Sequence, residues 1–344
     1  MRALFSFTTL AIALIGLLLG TGVLPDDERT VGPISGSAPP VVHDFTILPD
    51  GTCFAATSAG VFRHTQGESG WTHVSPAPPN RSSHTERVTF LAQDTTGNIF
   101  AGRKGATMLA RTHNRGTSWI RKSEALRDAD GSLSGMTLLD QTPAGIFAGF
   151  SSDGLYHSDN QGRTWTRAIP LSDSSAQATA LAVLPDGSHL AAMSDRFRSQ
   201  PFLYQSEDGT APWTQRPAPP VAFGTLVASG DGILYGSGFG TNGQFGGYRS
   251  DDAGQTWQSE DALQRALVLT RTPSGQVWGL GLGGTVLRRD SEGWEELSIT
   301  EDRVRAYAEA PDGTAYLGTE NGVIRKLPGD AWEPFNEGLQ STNE

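Results

Sequence analysis

The sequence predicts an all-β chain, a seven-bladed β-propeller of four-stranded antiparallel blades, and three observations carry that expectation. An eight-residue turn, Ser250-Asp251-Asp252-Ala253-Gly254-Gln255-Thr256-Trp257, recurs along the chain in worn copies. Tryptophans close the copies at intervals of 37 to 48 residues, the period of one four-stranded blade. Between them apolar and polar residues alternate with period two, and turn residues return roughly every 8 to 12 positions, as short half-buried strands require.

The chain opens on Arg2 followed by an uncharged stretch, residues 3–24, with an apolar centre from Leu10 to Leu19, and then Asp26-Asp27-Glu28-Arg29. This reads as an export signal. Gly20 and Gly22 offer a small-x-small pair for cleavage, yet the stretch is also long enough to stay as an N-terminal membrane anchor. Residues 25–41 contain Gly32-Pro33-Ile34-Ser35-Gly36-Ser37-Ala38-Pro39-Pro40, too poor in apolar side chains to pack, and are expected to be an extended linker. The propeller is expected over residues 42–337 and a short C-terminal tail over 338–344.

Seven units follow, aligned on Trp71, Trp119, Trp165, Trp213, Trp257, Trp294 and Trp332; Trp278 stands outside the series. In the third unit Met136-Thr137-Leu138-Leu139 is strand one and Ala144-Gly145 turns into Ile146-Phe147-Ala148-Gly149. Gly154-Leu155-Tyr156-His157 is strand three, and Trp165-Thr166-Arg167-Ala168 is strand four. The 42 glycines and the low charged fraction of 18% suit many short strands joined by tight turns.

The turn octet has a plain physical reading. In the copies Ser158-Asp159-Asn160-Gln161-Gly162-Arg163-Thr164-Trp165 and Ser250 to Trp257, a short Asp or Asn oxygen accepts backbone N–H bonds, and Gly162 and Gly254 take a positive φ. Ser158 and Ser250 add hydroxyls, and Trp165 and Trp257 cover the blade edge with a large apolar area whose indole N–H still needs a partner. Asn160 stands where Asp252 stands, so the oxygen is needed and the charge is not. These residues are read as structural.

A formal charge of −11 argues against nucleic acid and against anionic membrane surfaces bound through phosphate neutralisation. Cys53, the single cysteine, excludes an internal disulfide and a cysteine-based metal cluster, and its apolar repeat position marks a small buried hydrophobe. With no phosphate loop, dinucleotide fingerprint or metal-ligand spacing, neither a cofactor nor a metal is expected.

The octets resemble the BNR or Asp-box repeats of the sialidase-like propeller superfamily, which includes sialidases, xyloglucanases, sortilin-type receptors and the photosystem II stability/assembly factors. The resemblance spans residues 42–335 and is sharpest at Ser158 and Ser250. It implies that the octets are surface turns remote from any ligand and that function lies on the opposite rim.

Antiparallel order sorts the loops accordingly: turns one-to-two and three-to-four share one rim, while loops two-to-three and the interblade connections share the other. The second rim has long members at residues 75–87 (Arg81, His84), 102–108 (Arg103, Lys104), 122–135 (Arg127, Asp128, Asp130), 193–202 (Asp195, Arg196, Phe197, Arg198) and 236–247 (Phe239, Asn242, Gln244, Phe245). Lengthened loops on one face of a rigid scaffold are where binding groups collect. The expected contacts are Arg103, Lys104, Arg196, Phe197, Arg198, Phe239 and Phe245. The resemblance to assembly factors implies an arginine-rich patch, which Arg81, Arg103, Lys104, Arg196 and Arg198 could supply.

Catalytic constellations are sought and not found. The Phe/Tyr-Arg-Ile-Pro motif of sialidases is absent, and Arg167-Ala168-Ile169-Pro170 lacks the Arg-Ile adjacency. Tyr307 and Glu309 share a strand face, and Asp44 and Asp140 lie on inner strands, where an inverting glycosidase would need two facing carboxylates. Arg63, Arg111 and Arg249 recur before the octets as strand-end residues. The expectation is an exported, non-catalytic platform, extracytoplasmic in location, binding a protein or membrane complex or a carbohydrate. The competing reading is a diverged glycoside hydrolase.

Overall fold

The computed structural model describes residues 38–75, 87–123, 125–126, 135–151, 153–169, 176–195, 200–210 and 212–340. The expected export signal, Arg81, His84, Arg127, Asp128, Asp130, Arg196, Phe197 and Arg198 lie outside the described residues. Among those described, no helix is long and apolar enough to cross a membrane.

Strands follow one another in groups of four. The first group is β1 (Val42–Ile47), β2 (Cys53–Thr57), β3 (Gly60–His64) and β4 (Thr72–His73); the second is β5 (Phe90–Gln93), β6 (Ile99–Gly102), β7 (Leu109–Thr112) and β8 (Ile120–Arg121). Then come β9 (Met136–Thr142), β10 (Gly145–Phe150), β11 (Gly154–Ser158) and β12 (Thr166–Arg167), followed by β13 (Ala176–Val183), β14 (His189–Asp195), β15 (Pro201–Ser206) and β16 (Thr214–Arg216). The rest are β17 (Ala222–Ala228), β18 (Leu234–Phe239), β19 (Phe245–Ser250) and β20 (Gln258–Ser259), β21 (Ala266–Arg271), β22 (Val277–Gly281), β23 (Val286–Arg289) and β24 (Trp294–Glu296), and β25 (Val304–Glu309), β26 (Ala315–Thr319), β27 (Gly322–Lys326) and β28 (Glu333–Pro334). Each group is antiparallel and ordered as in the chain; the third and fourth join into one eight-stranded sheet through a single parallel pair, Gly154 with Gln177.

Second strands are the dry centre of each group: β2, β6, β22 and β26 are buried at every residue, as sheets covered on both faces demand. Fourth strands shrink to two or three residues, which leaves little exposed edge for another chain to pair with. Cores form between successive groups. One joins Phe54 and Val61 to Ile99 and Ala101, and another joins Phe223 and Leu226 to Leu190 and Leu203. The last group returns to the first: Val42, Phe45, Phe62 and Trp71 share a core with Ala306, Tyr316, Val323 and Phe335. Across this seam the Trp71 indole donates to the Phe335 carbonyl at 2.9 Å, the Trp71 N–H donates to the Glu337 carbonyl at 2.8 Å, and Leu339 is fully buried.

Two sequence expectations need correction. The glycine-rich stretch 236–247 is not one long loop: Gly236–Phe239 and Phe245–Gly247 are strand residues in register, Phe239 facing Phe245, and only residues 240–244 turn. Glycine serves there for close packing, since a Cβ on Gly238 would sit 1.9 Å from the Ala222 carbonyl oxygen. Nor does every indole find a partner. Trp71 and Trp119 donate to the Phe335 and Val74 carbonyls, while the indole N–H groups of Trp165, Trp213, Trp257 and Trp294 are buried without one.

Candidate functional site

The turn rim is chemically self-contained. Asp252 Oδ1 accepts the N–H groups of Gln255 (3.0 Å) and Thr256 (2.9 Å), its Oδ2 accepts the Thr256 hydroxyl, and the Ser250 hydroxyl donates to Oδ1 while accepting from the Gly254 N–H at 2.9 Å. Asn160 Oδ1 likewise accepts from Arg163 and Thr164, and Ser158 Oγ accepts the Gly162 N–H. These bonds hold the Asp252 carboxyl down at about 2. Gly162 and Gly254 have positive φ, and so do the residues before them, Gln161 (64°) and Ala253 (57°). Two of the arginines expected at strand ends tie groups together, Arg63 donating to the Arg115 carbonyl and Arg111 to the Gln161 side chain, while Arg249 pairs within its own turn with Asp251 at 2.7 Å.

The opposite rim is assembled differently. In β1, β9, β13, β17, β21 and β25 the pairing with the second strand skips one residue, so that His43, Thr137, Thr179, Gly224, Leu267 and Arg305 occupy bulges at equivalent places. A bulge re-aims its side chain. Here the Thr137 and Thr179 hydroxyls reach the Ala178 and Phe223 carbonyls of the next inner strand, each at 2.6 Å. Inner strands touch in succession, β25 against β1 and β1 against β5. The bulges of β25 and β1 therefore bring Arg305 and His43 to the same end of neighbouring strands.

Cations crowd this end. Burial first, then Arg87, Arg305, Arg303 and Lys104, push His43 down to about 3, so its ring is neutral at physiological pH. Lys104, whose N–H bonds to the Thr89 hydroxyl, is held below the ordinary lysine value by burial and by Arg87 and Arg305. Arg303 is lowered by burial and by Arg305, against the opposing pull of Glu320. Glu320 pairs with Arg305 at 2.7 Å and lies 3.8 Å from Arg303. Nearby Asp302 accepts from the Asn321 amide at 2.6 Å. Further along the inner strands two carboxyls are enclosed. Burial raises Asp44 to about 7 although its oxygens accept the Leu91 and Phe45 N–H groups, both at 2.8 Å, and burial raises Asp140 to about 6. The negative charge of Asp140 adds to the shift of Asp44.

Of the sequence candidates, Lys104 belongs to the cationic end, and Arg103 adjoins it in the chain. Phe239, 39% exposed, meets Phe245 edge-on at 5.2 Å on the same rim but on another group. Arg87, Arg303, Arg305 and His43 were not among the candidates; the signal was the charge pair Arg303 and Arg305 opening an inner strand where other units carry Thr, Gly or Leu. Tyr307 donates to Glu309 at 3.2 Å and stacks on Trp278 at 4.1 Å, and burial, with Glu309, raises its hydroxyl pKa far above the usual range. This is packing, with no exposed nucleophile. Arg167 bonds the Tyr156 hydroxyl. Among the described residues no three His, Cys, Asp or Glu side chains gather as a metal cluster.

No protein-family model matches the chain, and no curated protein matches it. Solved structures do match. YCF48 bound to D1 peptide aligns with a TM-score of 0.60 at 15% identity, over 90% of this chain and 99% of that one. The WD40 β-propeller domain of Doa1 gives 0.58 at 12%, over 84% and 93%. The GH74 xyloglucanase from Xanthomonas campestris gives 0.63 at 16%, over 85% of this chain and 52% of that one. The fold is thus that of a β-propeller. In fold it is similar to YCF48 and the xyloglucanase.

Proposed function

We propose that this chain is an exported, seven-bladed Asp-box propeller that acts as a non-catalytic platform for a protein partner outside the cytoplasm, with residues 1–24 as signal or anchor. The observation that carries the reading is the inequality of the rims. Turn octets use their polar atoms on themselves, while the other rim presents crowded cations and the exposed edge of Phe239 against Phe245. An exposed aromatic pair and cationic donors on one rim are the residue types that protein-binding hot spots use. The likeness to a propeller bound to a peptide supports a peptide-bearing partner, and burial of the core across the first and last groups supports a closed ring. Replacing Phe239, Phe245, Arg196 and Arg198 by Ala should leave folding intact and reduce recovery of the partner from membranes by about tenfold or more. Unchanged recovery, with loss instead after changes at Ser158 or Ser250, would place binding on the wrong rim.

A second reading rests on Asp44 and Asp140, whose raised carboxyls are the kind an acid catalyst uses. Hydrolysis of β-glucan or sialoside substrates, abolished in Asp140→Asn with folding retained, would favour the glycoside hydrolase.

A further inference from the structure

The cations at the inner-strand ends are more numerous than any structural duty there explains. Arg87, Lys104, Arg303 and Arg305 influence one another or His43, and Glu320 is the carboxylate paired with Arg303 and Arg305. Four like charges gathered this closely repel, and a cluster of this kind costs stability unless an anion relieves it. Geometry supplies a second, independent sign. His43 Nε2 and Arg305 Nε are buried without a hydrogen-bond partner, on bulges of adjoining strands β1 and β25. Unpartnered Nε atoms recur at other arginines, among them Arg63 and Arg111, so the sign that counts is His43 Nε2, the one buried imidazole nitrogen without a partner among the described residues, placed where an oxygen acceptor would satisfy it.

We propose that the cluster of His43, Arg87, Lys104, Arg303 and Arg305 binds a single oxyanion, a carboxylate or phosphate group. With Arg305 Nη2 held by Glu320, the Arg305 Nε–H is left to donate to an oxygen, Lys104 supplies a point charge, and neutral His43 donates one N–H. Cys53, Tyr307 and the pair Asp44–Asp140 take no part. The inference deepens the platform reading by giving the partner an anionic group that seats where the inner strands converge, some way round the rim from Phe239.

The test uses the full-length chain in detergent, with inorganic phosphate and acetate as separate probes. The His43 ring resonances, assigned by His43→Gln, should move with added phosphate, and thermal stability should rise with it by mass action. Binding should weaken about tenfold or more in Lys104→Gln and in Arg303→Gln, and stay unchanged in Arg249→Gln on the turn rim. A response to phosphate alone assigns the site to phosphate groups; a response to acetate as well extends it to carboxylates. Ring resonances unmoved by either anion in the unmutated protein overturn the inference whether or not the variants fold. Equal responses in Arg249→Gln and the Lys104 variant overturn it too. Should anion binding fail while partner recovery still depends on Phe239 and Phe245, the platform reading stands and this inference alone is lost.

Discussion

The two rims of this propeller are made from the same kinds of residue and put them to opposite use. On the turn rim Asp252 is surrounded by donors and held at about 2. Around the inner strands Asp44 and Asp140 are starved of water and lifted to about 7 and 6. Arginines follow the same division: Arg249 lies against Asp251, whereas Arg303 and Arg305 share one Glu320. Repetition marks the rim that closes each unit on itself. Departure from repetition marks the rim with chemistry to spare.

The largest expected effect is at the turn rim. Ser250→Ala removes the acceptor of the buried Gly254 N–H, and the midpoint of urea unfolding should fall by an amount equivalent to about 1 to 3 kcal/mol. A loss no greater than that of an ordinary surface substitution would show that the octet is not self-contained.

The carboxyls sharpen the contrast through pH. A carboxyl raised in the folded state stabilises fully below its unfolded value near 4, and that contribution disappears as pH climbs through its folded value. For Asp140 the window runs from about 4 to about 6, and for Asp44 to about 7. Asp252 has the opposite sign, and its contribution is lost as pH falls from about 4 toward 2. Asp140→Asn keeps an acceptor for the Gln141 N–H and should remove roughly 2 kcal/mol of the stability difference between pH 4 and pH 8. It should also lower the Asp44 value, because a neighbouring charge is gone. Parallel unfolding profiles for the two proteins would argue against enclosure of this carboxyl.

At the cationic end the expected change is smaller and favourable. Lys104→Gln relieves repulsion from Arg87 and Arg305, so stability at low ionic strength should hold or rise by a few tenths of a kcal/mol, with the gain shrinking in salt. Of similar size, Ala253→Gly should raise stability by a few tenths of a kcal/mol, since glycine adopts the 57° φ without strain while losing more freedom on folding. A destabilised Ala253→Gly protein would mean that the Ala253 side chain packs more than its backbone strains.

What the sequence shows of this division depends on range. The octets are legible because Ser250, Asp252 and Gly254 bond to each other within a few residues, so the spacing alone displays the chemistry. The cationic end is not legible in the same way: Lys104 and Arg305 come together only after four groups of strands have been laid between them, and the register skips that set His43 and Arg305 depend on pairing. The glycines from 236 to 247 mislead for a related reason. Glycine reads locally as a break in a strand, but Gly238 and Gly247 are placed where the Ala222 backbone and Leu263 leave no room for a Cβ.

The seam between the first and last groups also sets an order of events on the ribosome. Trp71 hydrogen-bonds to Phe335, 264 residues later, and Gly70 packs against the Glu337 backbone. The first sheet to be synthesised is therefore the last to be finished, and its aromatic flank stays bare until the final residues emerge. A chain that stops before Phe335 leaves His64 and Trp71 without the ring that packs on both of them, and quality control would recognise the fragment by that bare edge.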